Sequence, residues 1–172
     1  VLNHRTDFKL AINIEDISKI PGGEKSLDSP FYKYHSDRLY RNDGNGKFTD
    51  VTEKAGIINR GYGLSVTASD LNKDGFVDIY VANDYVDRDY LYMNNGDGTF
   101  TDKLEETFLH ITKHPMGSDI ADFNNDGHLD QMSLEMISED NYSQKQLDWL
   151  SSYDLYHLIV ENGMYHQVVR NT

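Results

Sequence analysis

The chain has 172 residues, the length of one ordinary domain or of a segment of a larger one. Acidic residues outnumber basic ones 29 to 16, for a formal charge of −13, and the missing basic face argues against nucleic acid as a partner. There is no cysteine, which excludes disulfides, cysteine nucleophiles and cysteine-based zinc sites, and no apolar run reaches the roughly 20 residues of a membrane-spanning helix.

In chain order, Val1-Leu-Asn3 resembles Val81-Ala-Asn83 and reads as the end of a strand. Residues 4–36, with Pro21-Gly-Gly23 and Ser29-Pro30, read as a long insertion, mainly loop. A strand is expected at Asp37 to Tyr40. Gly63 to Ser69 is small and β-branched, suited to a tightly packed inner strand. Val77 to Ala82 is a second strand by its β-branched and aromatic content, and Asp89 to Met93 a third. Asn94-Asn-Gly-Asp-Gly98 is a turn rich in residues that tolerate positive φ, and Thr99 to Asp102 opens a fourth strand. Gln131 to Ile137 is another strand. Ser143-Gln-Lys-Gln146 fits a capping box, and apolar residues follow at helical spacing, so a helix is expected from about Gln144 to Val160, ending near Asn162-Gly163. Tyr165 to Thr172 reads as the opening of the next third strand.

A repeat organises these elements. Leu39-Tyr-Arg-Asn-Asp-Gly-Asn-Gly-Lys-Phe-Thr-Asp50 recurs as Leu91-Tyr-Met-Asn-Asn-Gly-Asp-Gly-Thr-Phe-Thr-Asp102, and DLNKDGFVD (70–78) recurs as DFNNDGHLD (122–130). The shifts from 39 to 91 and from 70 to 122 are both 52 residues, so two separate motifs share one register. Four short antiparallel strands per repeat make a propeller blade. The expected fold is therefore all-β: part of a β-propeller with an inserted loop region and one inserted α-helix. The whole of 1–172 is one propeller segment, in which 1–52 ends a blade and carries the insertion 4–36. Residues 53–103 form a complete blade, and 104–172 start a third, with a helical insertion at about 140–163. A ring needs more blades than this, so the intact protein is expected to be longer.

The two acidic loops carry the chemistry. Calcium takes six to eight oxygen ligands, and a tight loop presents them from side chains at positions 1, 3, 5 and 9 and from the carbonyl at position 7. The first loop supplies Asp70, Asn72, Asp74, the Phe76 carbonyl and Asp78; the second supplies Asp122, Asn124, Asp126, the His128 carbonyl and Asp130. Gly75 and Gly127 stand at position 6, where the chain turns sharply. Two Ca²⁺ sites are expected, and calcium is favoured over magnesium, which demands near-octahedral geometry and retains more water. A helical calcium sensor would need Glu at position 12, where this chain has Val81 and Ser133, and its flanks would be helices. The competing reading is an Asx-turn hairpin whose carboxylates only cap main-chain N–H groups.

These motifs resemble the FG-GAP or VCBS repeats of integrin-α-type β-propellers. LYRNDGNGKFTDVTEKAGI is particularly similar to the group that includes cartilage acidic protein and ASPIC/UnbV-associated proteins. The resemblance implies calcium between the first and second strands of each blade and a secreted or cell-surface location, such as a bacterial outer-membrane surface. It leaves the partner open. The expected role is a non-enzymatic binding, adhesion or assembly module with a protein partner or larger surface complex. The alternative is the propeller part of a surface polysaccharide-binding, uptake or processing system, with a glycan as ligand.

Other features have blander explanations. Tyr40, Tyr80, Tyr90 and Tyr92 could form a sugar- or protein-binding face, but packing between blades is the preferred reading. His110 and His114 are read as surface or packing residues rather than metal ligands. Trp149, Tyr153 and Tyr156 of the expected helix could dock a partner or cover the rim. Asn141-Tyr-Ser143 matches an N-glycosylation acceptor, relevant only in a eukaryotic secretory pathway.

Overall fold

The structure is a computed structural model that describes residues 37–59, 61–84, 87–138, 140, 142–143, 153–161 and 163–169. The expected insertion 4–36, the strand end at Val1 to Asn3, Asn141, Trp149 and the first part of the expected helix lie outside the described residues.

The complete blade is a four-stranded antiparallel sheet in sequence order: β3 (Tyr62–Ser69), β4 (Asp78–Asp84), β5 (Tyr90–Asn94) and β6 (Phe100–Asp102). Before it stands the hairpin β1 (Tyr40–Gly44) and β2 (Lys47–Asp50), and after it the hairpin β8 (Pro115–Ala121) and β9 (Asp130–Glu135). The two outer hairpins copy parts of the middle sheet. Tyr40 pairs with Asp50 as Tyr92 pairs with Asp102, and Asn42 with Phe48 as Asn94 with Phe100. The described residues thus hold the last two strands of one blade, a whole blade, and the first two strands of a third. The architecture is an all-β partial propeller, as the repeat predicts.

Two single-turn helices follow the fourth strands, Thr52–Ala55 and Leu104–Thr107, again 52 residues apart. Each is started by the last Asp of the strand. Asp50 Oδ1 accepts the Thr52 N–H at 3.0 Å, and Asp102 Oδ1 accepts the Leu104 N–H at 3.1 Å. Each bond satisfies the first N–H of its helix, which has no partner within the helix, from the residue before the N-cap; Val51 and Lys103 at the N-cap supply no side-chain cap. The first helix ends at Gly56, whose φ of 76° is the left-handed stop that glycine adopts most cheaply.

The central strand β4 is buried on both faces, and each face belongs to a different seam. Val81 packs with Ala55, Ile57, Tyr90 and Tyr92 toward the first blade. Tyr80 and Ala82 pack with Leu91, Leu104 and Ile111 toward the third. Burying each large side chain stabilises the fold by roughly 1.5–3 kcal/mol, so these two seams are the main hydrophobic contribution here. The inner strands of neighbouring blades also touch through hydroxyls: Ser65 Oγ lies 2.9 Å from Ser118 Oγ, and Thr67 Oγ1 donates to the Ser118 carbonyl at 3.1 Å. Small polar residues let the inner strands approach closely, which explains the Ser/Thr/Ala composition of β3.

The C-terminal part agrees with expectation in its helix and differs in its last strand. Helix is described at Tyr153–Glu161, ending within a residue of the expected Val160, and Gly163 (φ 76°) follows with its N–H bonded to the Val160 carbonyl at 3.0 Å. Strand β10 (Gln167–Val168) does form, but it pairs in parallel with β7 (Ile111–Thr112) rather than antiparallel with β9. The reason is local. Gln167 is buried and donates from Nε2 to the Asp87 carbonyl at 3.0 Å, and Ile111 beside it is part of the seam with Tyr80. No described helix is long and apolar enough to cross a membrane.

Candidate cation-binding loops

Each acidic loop joins the first two strands of its blade, β3 to β4 and β8 to β9. Within each, the side chains at positions 1, 3, 5 and 9 fold back on the main chain in the same way. Asp70 Oδ1 accepts from Asp74 N (3.0 Å) and Oδ2 from Gly75 N (2.9 Å); Asp122 does the same with Asp126 N (3.1 Å) and Gly127 N (2.9 Å). Asn72 Oδ1 accepts from Asp74 N at 3.0 Å, as Asn124 Oδ1 does from Asp126 N at 2.8 Å. Asp74 Oδ1 takes the Phe76 N–H and Asp126 Oδ1 the His128 N–H, both at 2.8 Å. Position 9 closes the loop onto position 2: Asp78 Oδ2 to Leu71 N at 2.9 Å, Asp130 Oδ2 to Phe123 N at 3.1 Å. Lys73 and Asn125, at position 4, share the left-handed conformation at φ 61° and 59°. Positions 3 to 6 therefore form a tight coil rather than an extended hairpin.

The first loop is anchored further. Asp78 is fully buried, and its Oδ1 accepts the Asn94 N–H at 2.8 Å, while Asn94 Nδ2 donates to the Val77 carbonyl at 3.0 Å. The loop is thereby tied to the turn after β5, and the Phe76 ring lies against Gly96 of that turn, where an added Cβ would come within 2.7 Å of it. This explains why the repeat keeps Asn in LYxN. Sequence reasoning missed Asn94 as an anchor, although its recurrence at Asn42 was the available signal.

The ten expected ligand residues fall in two groups of five, one per loop. Their donors are all oxygens, which fits a hard cation such as calcium and not a transition metal. The carboxylates are not gathered on one point: no three His, Cys, Asp or Glu side chains among the described residues stand together at metal-binding distance. Each carboxylate oxygen that accepts one N–H keeps a second lone pair, so the main-chain bonds orient the donors without using them up. Asp126 is held below the usual carboxylate range first by the His128 N–H and then by the Asn124 amide, so it stays ionised.

Most of the other sequence candidates are packing residues; Tyr40 and Tyr153 are not. Tyr80, Tyr90 and Tyr92 are buried, Tyr90 and Tyr92 stack at 5.5 Å, and Tyr40 alone of the four is exposed. His114 is buried, with Nδ1 at 2.8 Å from Asp84 Oδ1. Tyr153 is exposed, and the Tyr156 hydroxyl meets His166 Nδ1 at 2.7 Å.

An all-β partial propeller with a coiled acidic loop between the first two strands of its second and third blades defines a class of repeat protein. The model of the FG-GAP-like repeat matches residues 31–81 and again 70–133, the two matches ending at equivalent positions of β4 and β9. The chain belongs to the FG-GAP-like repeat family. No curated protein matches it at a significant level.

Proposed function

We propose that the chain is a calcium-stabilised, non-enzymatic binding or assembly module of an extracellular or cell-surface protein, with one structural Ca²⁺ in each acidic loop. Asp70, Asn72, Asp74, Asp78 and the Phe76 carbonyl would hold one ion, and Asp122, Asn124, Asp126, Asp130 and the His128 carbonyl the other. The observation that carries this reading is the identical hydrogen-bond scaffold of two all-oxygen loops set 52 residues apart. A chance Asx turn has no reason to repeat four acidic or amide positions in one register. The ion would cross-link two strands at the edge of the blade, which favours a rigid surface over a switch. FG-GAP-like repeats are typical of extracellular and surface binding modules, which supports the location and a protein partner. Tyr80, Tyr90 and Tyr92 are buried and so offer no stacking face to a glycan, which favours a protein partner.

Thermal unfolding with and without chelator tests it. A site at 100 times its Kd adds about 2.7 kcal/mol, so saturating calcium should raise the melting temperature by several degrees. Asp74→Ala and Asp126→Ala should each remove part of that rise. A melting temperature indifferent to calcium in the parent chain would show the loops to be hairpins that need no ion.

A further inference from the structure

The two acidic loops are in contact, and the contact is one-sided. Lys73, at position 4 of the first loop, sends its ammonium across to the second, where Nζ donates to the Gly127 carbonyl and lies 3.5 Å from His128 Nδ1. Gly127 and His128 are positions 6 and 7 of the second loop. Lys73 also adds, after nearer hydrogen bonds, to the forces holding Asp126 ionised. The second loop cannot return the contact in kind, because its own position 4 is the uncharged Asn125.

We infer that Lys73 is a built-in cation that tunes the second loop: it lies beside the ligands of that loop and weakens calcium binding there relative to the first loop. This rests on the calcium reading above. The ammonium, held at the Gly127 carbonyl, places positive charge near Asp126, so a divalent ion entering this loop meets a charge already in place. The lysine is exposed, and its hydrogen bond alone is worth little. Its field acts at short range even in water, and one unit charge against a divalent ion several ångströms away shifts the affinity by about three- to tenfold. The arrangement ranks the two sites: the first loop fills first, and the second fills as calcium rises.

Calcium titration of the full 172-residue chain, followed by amide NMR signals, reads the loops separately. Gly75 and Phe76 report the first loop, Gly127 and His128 the second. In the parent chain the Gly127 signal should titrate at higher calcium than the Gly75 signal. Lys73→Met should lower the Kd at Gly127 about three- to tenfold, with a smaller change at Gly75, and Lys73→Arg should restore the parent order. An unchanged Gly127 midpoint in Lys73→Met, or an equal shift at both loops, overturns this inference and leaves calcium binding standing. No calcium-dependent shift in any variant overturns the calcium reading, and the ranking of sites goes with it.

Discussion

The Tyr80 hydroxyl donates to Asp89 Oδ2 in the middle of the complete blade, with both residues closed off from solvent. The other oxygen of Asp89 accepts the Asn83 N–H at 2.7 Å. Burial dominates and pushes the Asp89 carboxyl up to about 7, while the Tyr80 and Asn83 bonds and the nearby Arg88 pull the other way. The folded state therefore holds this proton more tightly than the unfolded chain, whose Asp releases it near 3.8. The resulting stability is fully present below that value and is lost as pH rises through about 7. The exposed carboxylates Asp43, Asp50 and Asp97 are shifted down by hydrogen bonds and have the opposite sign; their contribution fades only as pH falls below the ordinary range, so the two windows do not overlap. Melting temperatures taken across pH 4 to 8 at fixed calcium should fall with rising pH in the parent chain, and the slope should flatten in Asp89→Asn. Parallel curves for the two proteins would show that Asp89 does not titrate in this window.

Asp102 links three elements of the same blade. Its Oδ1 accepts Leu91 N at 3.3 Å and Leu104 N at 3.1 Å, and its Oδ2 takes Arg88 Nη2 at 2.6 Å. The Arg88 guanidinium also stacks 4.4 Å above the Tyr90 ring. Asp50, its counterpart one repeat earlier, accepts the Thr52 N–H in the same way, but its nearest arginine, Arg38, is 3.6 Å away. Truncating Asp102 removes its bonds to two main-chain N–H groups and its ion pair with the mostly buried Arg88, which keeps its bond to the Asp89 carbonyl, a loss of about 2–3 kcal/mol. Asp50→Ala loses its bond to the Thr52 N–H and a longer, solvent-exposed ion pair, and should cost less. Urea unfolding of the two alanine variants should show this order; equal losses would mean that the arginine adds nothing beyond the main-chain bonds.

The strands of the complete blade were legible because each is a short β-branched or aromatic run between turn residues, and the 52-residue register fixed their order. The ligand sets were legible for the same reason: a chelating loop must space its donors in sequence. Three features were not. The helices Thr52–Ala55 and Leu104–Thr107 are four residues long, too short for a helical period to show, although the preceding Phe-Thr-Asp recurs in both copies. The parallel pairing of Gln167–Val168 with Ile111–Thr112 depends on what lies beside a buried glutamine, which no local pattern encodes. The reach of Lys73 to Gly127 spans two repeats and exists only once the blades are stacked.

Met132 and Leu134 in β9 occupy the repeat positions of Tyr80 and Ala82, yet both are more than 40% exposed where Tyr80 and Ala82 are buried. In the second blade this face is covered by Leu104, Ile111 and the third blade. Large-to-small substitutions should therefore separate sharply in this chain. Leu91→Ala, at 2% exposure in the covered seam, should cost about 2–5 kcal/mol, while Leu134→Ala, at 48%, should cost under about 1 kcal/mol. A comparable loss at Leu134 would mean that this face is covered in solution, and a change in oligomeric state on mutation would identify a second copy as the cover.

Gly61 tests how closely the two inner strands of the blade are fitted. Its φ of 150° lies outside what side-chain-bearing residues adopt readily, and an added Cβ would stand 2.3 Å from Asn83 Oδ1. Asn83 has little room to give. It is 1% exposed, its Nδ2 donates to the Arg88 carbonyl at 2.8 Å, and its N–H is held by Asp89. Gly44 is the comparison: at φ 83° it carries the same backbone preference, but no atom lies within 4 Å of an added Cβ. Gly44→Ala should therefore cost only the left-handed strain, about 1–2 kcal/mol. Gly61→Ala adds the clash and the disturbance of Asn83, and should cost more than 3 kcal/mol, as overpacking and the loss of a buried hydrogen bond combine. Denaturant midpoints of the two variants decide it. Equal midpoints would mean that Asn83 swings aside at no cost, and that its bond to Arg88 does not hold the β4–β5 connection in place.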